Sequence, residues 1–230
     1  KEIEEIVHGL KQPEKTISPK YFYDERGSQL FDQITHLPEY YPTETELAIM
    51  HANIDEIADL VGEQASLIEF GSGSGRKTRI LLEHLHRLAA YVPVDISEEH
   101  LLEAAKERRA EFPDIEIIPV VADFMHPFDL PQPSTMPLRN LVYFPGSTIG
   151  NFEPQDGVEL LRQLAGLAGS DGGILVGVDL KKDREILEAA YDDALWAGME
   201  SIEAPTPDPL TGTLTARLRE PSGNQIVLMA

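Results

Sequence analysis

The 230-residue chain carries 40 acidic against 19 basic residues, and its formal net charge of −21 argues against phosphate backbones and anionic membrane surfaces as partners. Apolar residues make up 42% and charged residues 26%, which excludes global disorder, and the absence of cysteine excludes disulfides and thiolate metal sites. No apolar run approaches the roughly 20 residues of a membrane span, and the opening Lys1-Glu2-Ile3-Glu4-Glu5 has no signal-peptide character, so the expectation is a cytoplasmic protein acting on small molecules.

Residues 1–65 read as mostly helical, interrupted by loops at Ser18-Pro19 and at Leu37-Pro38-Glu39-Tyr40-Tyr41-Pro42. An α/β rhythm begins at residue 66. Residues 66–70 form a short apolar run ending at Gly71, and a helix follows with Leu81, Leu85 and Leu88 on one face. A second strand is expected over 91–96, with Ser97 as the N-cap of the next helix and Glu98 and Glu99 in its first turn, where negative charge suits the helix dipole. Strands over 115–121 and 140–144 come next, then a helix carrying Leu160, Leu161, Leu164 and Leu167. Asp171-Gly172-Gly173 turns into a fifth strand over 174–178. Beyond it, Pro205, Pro207 and Pro209 mark a loop, and a hairpin is expected from the alternation of Leu214, Ala216 and Leu218, the turn Pro221-Ser222-Gly223-Asn224 and a strand over 225–229.

Five apolar strands separated by helices imply a Rossmann-like α/β domain, a mostly parallel sheet covered by helices on both faces. Ligands of such sheets bind beyond the carboxyl ends of the strands. There the sequence places Glu69-Phe70-Gly71-Ser72-Gly73-Ser74-Gly75, then Asp95, then Asp123-Phe124, then Pro145-Gly146-Ser147-Thr148-Ile149-Gly150-Asn151. A dinucleotide fingerprint would need a third glycine where Arg76 stands. The G-x-G-x-G spacing after an acid is instead similar to motif I of class I methyltransferases, which implies S-adenosylmethionine as cofactor. A carboxylate at Asp95 can accept hydrogen bonds from both hydroxyls of a ribose and serves either kind of nucleoside. By the methyltransferase resemblance, Asp123 accepts from the adenine amino group with Phe124 beside it.

A longer resemblance runs through the same stretch. Pro19-Lys20-Tyr21-Phe22-Tyr23-Asp24, Gly27-Ser28-Gln29-Leu30-Phe31, Leu37-Pro38-Glu39-Tyr40-Tyr41-Pro42-Thr43, Lys77-Thr78-Arg79, Gly146-Ser147-Thr148-Ile149-Gly150-Asn151 and Ala190-Tyr191-Asp192-Asp193-Ala194 occur in one order. Together they resemble the histidine-specific Nα-methyltransferases of ergothioneine biosynthesis, over about residues 15–194. That resemblance implies transfer of methyl groups from S-adenosylmethionine to the α-amino group of L-histidine, three times, giving the betaine hercynine. It implies Gly71, Gly73, Lys77, Asp95, Asp123 and Phe124 at the cofactor. It implies Tyr40, Gly146, Asn151 and Tyr191 at the substrate, Asn151 and Tyr191 holding its α-carboxylate, and Phe31 shaping the pocket. Tyr23 and Tyr40 are the catalytic candidates, Tyr23 and Gly146 lying near the reacting amine.

After Ala194 the resemblance stops, and the family's residues that read the imidazole ring have no counterpart in the remaining 36 residues. The expected organisation is a helical segment over 1–65 that contributes to the substrate pocket, a cofactor-binding domain over 66–194, and a reduced substrate lobe over 195–230. A methyltransferase for another amino-acid-like amine and an inactive cofactor-binding relative are the alternatives. A nicotinamide-dependent oxidoreductase is disfavoured by Arg76 and Asp123. His84 and His86, two apart on a helix, face different ways and make no metal pair, so no metal is expected.

Overall fold

The computed structural model describes residues 2–13, 25–38, 40–71, 75–152, 154–186, 200–207, 214–219 and 225–229. The chain divides into two compact units, one made of Lys1–Gln29 with Pro42–Leu180, the other of Leu30–Tyr41 with Lys181–Ala230. Helices α1 (Glu2–Lys11), α2 (Glu25–Ile34) and α3 (Tyr41–Val61) precede the first strand, so the N-terminal region is shared between the units.

The first unit is built on a five-stranded parallel sheet of order β3-β2-β1-β4-β5, with β1 at Ala65–Phe70, β2 at Ala90–Asp95, β3 at Val120–Val121, β4 at Arg139–Phe144 and β5 at Gly173–Val176. Its direction of winding reverses between β1 and β4, which opens a crevice at their carboxyl ends. Side chains alternate across the sheet with a period of two. Leu67, Tyr91, Leu141 and Tyr143 enter the core on one face, together with Leu47, Met50, Ile54, Ala58 and Val61 of α3. The spacing of those α3 residues, three and four apart, is the stripe of an amphipathic helix. Ile68, Phe70, Val92, Val94, Val142 and Phe144 enter the other core with Leu160, Leu164 and Ala168 of α6 (Pro154–Ala168). Every residue of β1 is buried, as expected for the central strand of a sheet covered on both sides.

Four sequence expectations are adjusted by the backbone. The strand expected over 115–121 keeps a ladder only at Val120–Val121, with a single bridge from Ile117 to Tyr91. Pro119 has no N–H to donate and interrupts it. Helix α4 (Arg76–His84) ends before Leu85, and Arg87 turns the chain at φ 51, so Leu85 and Leu88 reach the core from the loop. Leu161 is 37% exposed, whereas Leu160 and Leu164 are buried. Strand β5 stops at Val176, and Val178 is exposed.

Ser97 does stand at the N-cap of α5 (Glu98–Glu111), but its hydroxyl caps nothing. Instead the Ser97 N–H donates to Asp95 Oδ1 at 3.0 Å. Glu98 and Glu99 at the start of α5, and Arg108 and Arg109 at its end, complement the helix dipole.

The turn into β5 depends on Gly172. A Cβ there would collide with the backbone carbonyls of Ala168 and Asn140, neither of which can swing aside as a side chain could. Gly172→Ala is expected to lower the stability of the unit by about 3 kcal/mol. A urea melt at unchanged midpoint would contradict this.

In the second unit, β6 (Glu200–Pro207), β7 (Leu214–Arg219) and β8 (Gln225–Met229) form an antiparallel sheet in that order. The expected hairpin corresponds to β7 and β8, and the turn at 221–224 lies outside the described residues. The expected loop at Pro205 and Pro207 is a strand. Those prolines fit because β6 is an edge strand whose register shifts between Ser201 and Glu203 and between Glu203 and Thr206. Elsewhere in this unit the Tyr40 ring meets Phe31 edge-on, centroids 6.1 Å apart, and Lys182 Nζ lies 4.5 Å from the centre of the Tyr41 ring.

Candidate active site

The parallel register brings the sequence-selected residues of the first unit to one edge of the sheet. Gly71 follows the last residue of β1 and donates its N–H to Val94 O at 3.0 Å, beside Asp95 at the end of β2. Ala122 N donates to Asp95 O at 3.0 Å, which sets the Asp123 turn beside Asp95 in turn. On the other side of β1, Gly177 N donates to Phe144 O at 2.9 Å, so the chain after β5 stays against the Gly146 turn.

At Gly71 the backbone takes φ +71, and a Cβ built there would meet nothing within 4 Å among the described residues. Glycine is thus used for its backbone conformation, and the described residues leave space above the turn. Gly73 lies outside the described residues. Helix α4 begins just beyond, with Gly75 at its N-cap in the left-handed region and, among the described residues, no side-chain cap hydrogen bond. The first N–H groups of a helix and its dipole favour an anion at this end, and Lys77 adds a cation there.

Asp95 and Asp123 are both half-buried. In both carboxylates Oδ1 is engaged by the residue's own turn: Asp95 Oδ1 accepts from Ser97 N, and Asp123 Oδ1 accepts from Met125 N, both at 3.0 Å, while Asp123 Oδ2 lies 3.9 Å from His126 Nε2. These bonds fix the two acids at successive strand ends as acceptors. Phe124 turns into the sheet, edge-on to Phe70 and Phe144 with centroids 5.5 and 5.9 Å away. It anchors the Asp123 turn to the core.

The Gly146 turn has left-handed backbone at two consecutive residues, φ +78 at Gly146 and 58 at Ser147. Ser147 Oγ accepts from Asp179 N at 2.8 Å, and a 3-10 turn over Thr148–Asn151 leaves Asn151 exposed at its end. Tyr40 belongs to the second unit and is buried, while Tyr23 and Tyr191 lie outside the described residues.

Two acids prove more central than their sequence surroundings suggest. Glu69 is 1% exposed beneath the glycine turn, where it takes hydrogen bonds from Thr78 Oγ1 of α4 at 2.7 and 2.8 Å and from Tyr91 Oη of β2 at 2.5 Å. Burial pushes its carboxyl up to about 7, against the opposing pull of the Tyr91 and Thr78 hydrogen bonds and of the charges on Lys77 and Arg108. The Tyr91 phenol is raised as well, by its own burial first and by Glu69 second. Glu46 of α3 pairs with Lys77 Nζ at 2.5 Å and accepts from Gly146 N. No local pattern marks Glu46, whose partners lie 31 and 100 residues away.

A cavity of about 630 Å3 lies elsewhere, lined by Asp55, Asp59 and Glu63 near the end of α3 and by His84, His86 and Arg87 near the end of α4, and Gly71, Asp95, Asp123 and Gly146 are not among its lining residues. His84 Nδ1 lies 2.8 Å from Ile80 O. Among the described residues no cluster of histidines and acids is arranged to hold a metal ion, and no helix is long and apolar enough to cross a membrane.

Comparison with known proteins shows the family of the chain. A profile described as histidine-specific methyltransferase, SAM-dependent, matches residues 3–198. The chain belongs to this family. The histidine N-alpha-methyltransferase of Mycobacterium tuberculosis is 42% identical over 193 residues, covering 82% of this chain and 59% of that protein. The enzyme of the same name from Mycolicibacterium smegmatis is 43% identical over 194 residues, covering 83% and 59%. Ergothioneine biosynthesis protein 1 of Neurospora crassa is 32% identical over 184 residues, covering 78% of this chain and 21% of that one. The chain therefore spans about three-fifths of the length of the two bacterial relatives.

Membership in the histidine-specific methyltransferases makes S-adenosylmethionine the cofactor. The described residues fit it: open space over a positive-φ glycine, acids at two neighbouring strand ends, and a lysine at an uncapped helix start. The sheet order is that of a Rossmann-like α/β fold, as expected from the sequence.

Proposed function

We propose that this chain takes part in transferring methyl groups from S-adenosylmethionine to the α-amino nitrogen of L-histidine, as in the first stage of ergothioneine biosynthesis. The observation that supports this most is the coincidence of two things: 42% identity over 193 residues to a histidine N-alpha-methyltransferase, and a strand edge where Gly71, Asp95, Asp123 and Gly146 stand together.

Bound at this edge, the cofactor would supply an electrophilic methyl group on a sulfonium. The chain's part is to hold the reactants. Asp95 would accept from the ribose hydroxyls and Asp123 from the adenine amino group, while Lys77 and the start of α4 would meet the carboxylate of the cofactor's amino-acid end. Asn151 would donate to the substrate carboxylate, a neutral hydrogen bond worth about 1 kcal/mol net. Tyr23, Tyr40 and Tyr191 are assigned by family resemblance, Tyr191 to the same carboxylate and Tyr23 to accept a hydrogen bond from the amine, which must first give its proton to water, since an ammonium has no lone pair to attack with. Holding two reactants in line is itself a large effect, with effective molarities of about 10⁵–10⁸ M in well-oriented systems. The acidic surface, with its net charge of −21, agrees with a small zwitterionic substrate rather than a nucleic acid.

Mass spectrometry of a mixture of free amino acids incubated with the chain and S-adenosylmethionine tests the reading. Histidine should gain one, two or three methyl groups. Methylation of a different amino acid with histidine left untouched would overturn the substrate assignment while keeping the cofactor.

A further inference from the structure

Helices α3 and α4 are joined near their N-termini by two ion pairs of different character. Glu44 and Arg76, 2.8 Å apart, have side chains 59% and 35% exposed, so solvent screens them. Glu46 and Lys77 are 17% and 16% exposed and make the closer contact. The Glu46 carboxylate also reaches the β4 turn, where Gly146 N donates to Oε2 at 2.9 Å and more loosely to Oε1 at 3.3 Å. Gly177 permits this: a Cβ there would strike Glu46 Oε1. One carboxylate thus bonds to the start of α4 and to the turn after β4, and lies close against the chain after β5.

A half-buried ion pair is a poor device for stability alone, because desolvation offsets much of the attraction. It is a good device for direction. A lysine ammonium rides on a flexible four-carbon stem and has three donors. With one donor held by Glu46, the remaining donors are fixed in orientation at the helix end where an anion is favoured.

Building on the cofactor reading above, we propose that Glu46 is a positioning residue that aims Lys77 at the carboxylate of the cofactor's amino-acid end and locks the Gly146 turn to the same point. Cofactor and substrate edges of the site are then set by one side chain of the N-terminal region.

The test is calorimetric titration of the full chain with S-adenosylhomocysteine and with 5′-methylthioadenosine, which keeps the nucleoside and sulfur but lacks the amino-acid end. Glu46→Gln should weaken S-adenosylhomocysteine about tenfold, the size of one misdirected charge-assisted hydrogen bond, and leave methylthioadenosine within about twofold. Glu46→Ala should lose at least as much, and Glu44→Gln, in the exposed pair, should change neither ligand. On a Lys77→Met background, Glu46→Gln should cost S-adenosylhomocysteine no further affinity, because its effect on that ligand runs through the lysine. Equal weakening of both ligands would make Glu46 merely structural and overturn the proposal. Unchanged or tighter S-adenosylhomocysteine binding would do so too, since Glu46 would then only neutralise Lys77. Wild-type chain that binds neither ligand would instead overturn the cofactor reading beneath it.

Discussion

Asp95→Ala should weaken S-adenosylhomocysteine by about 100-fold, close to 3 kcal/mol, while the chain stays folded. The size follows from two charge-assisted hydrogen bonds to a ribose, each contributing about 1.5–3 kcal/mol, with part of the loss recovered by water in an open crevice. Asp95 sits at the end of β2, half-buried, with Oδ1 engaged by Ser97 N. Removing it also frees that N–H at the start of α5, so thermal stability should fall modestly, by about 1 kcal/mol as for a lost helix cap. Titration calorimetry on protein shown folded by circular dichroism separates the two effects. An affinity equal to wild type would show that the sugar is held elsewhere.

The second large effect concerns pH. Glu69 is raised by burial from an ordinary value of 4.5 to about 7, so the folded chain holds a proton that the unfolded chain gives up. Its contribution to stability is fully present below pH 4.5 and is lost as pH rises through 7. Over that window the loss amounts to about 3 kcal/mol. Glu69→Gln cannot ionise, so the stability difference between variant and wild type should move by about that amount in favour of the variant from pH 4.5 to pH 7.5. Urea melts at several pH values give the curve directly. Parallel curves for the two proteins would contradict a neutral Glu69 in the fold. Glutamine at this position can still accept from Tyr91 and Thr78, so the comparison isolates the charge.

The two acids illustrate what was legible in the chain and what was not. Asp95 stood out because it follows an apolar run, and the parallel register carries every such strand end to one edge. Gly71, Asp123 and Gly146 stand out in the same way. Glu69 was visible as an acid before glycines, but its role as the tie between β1, β2 and α4 depends on Tyr91, 22 residues away, and on Thr78. Glu46 gave no signal. It sits among Thr43-Glu44-Thr45-Glu46 at the start of a helix, where acids are ordinarily solvated and favoured by the dipole. Only the folded chain shows that its neighbour Glu44 points to an exposed arginine while Glu46 meets the site.

The fold errors have similar causes. Apolar content at 115–121 suggested a full strand, yet Pro119 removes a donor and leaves two residues of ladder. Prolines at 205 and 207 suggested a loop, yet an edge strand with shifted register tolerates them. Both cases turn on where a missing N–H falls relative to a partner strand, which local composition does not record.

A crystal structure of the chain with S-adenosylhomocysteine tests the placement of the site most directly. Adenine should lie against Asp123, the ribose hydroxyls at Asp95, and the amino-acid end over Gly71 within reach of Lys77. The ligand bound anywhere else, with the ends of β1 and β2 left uncovered, would contradict it.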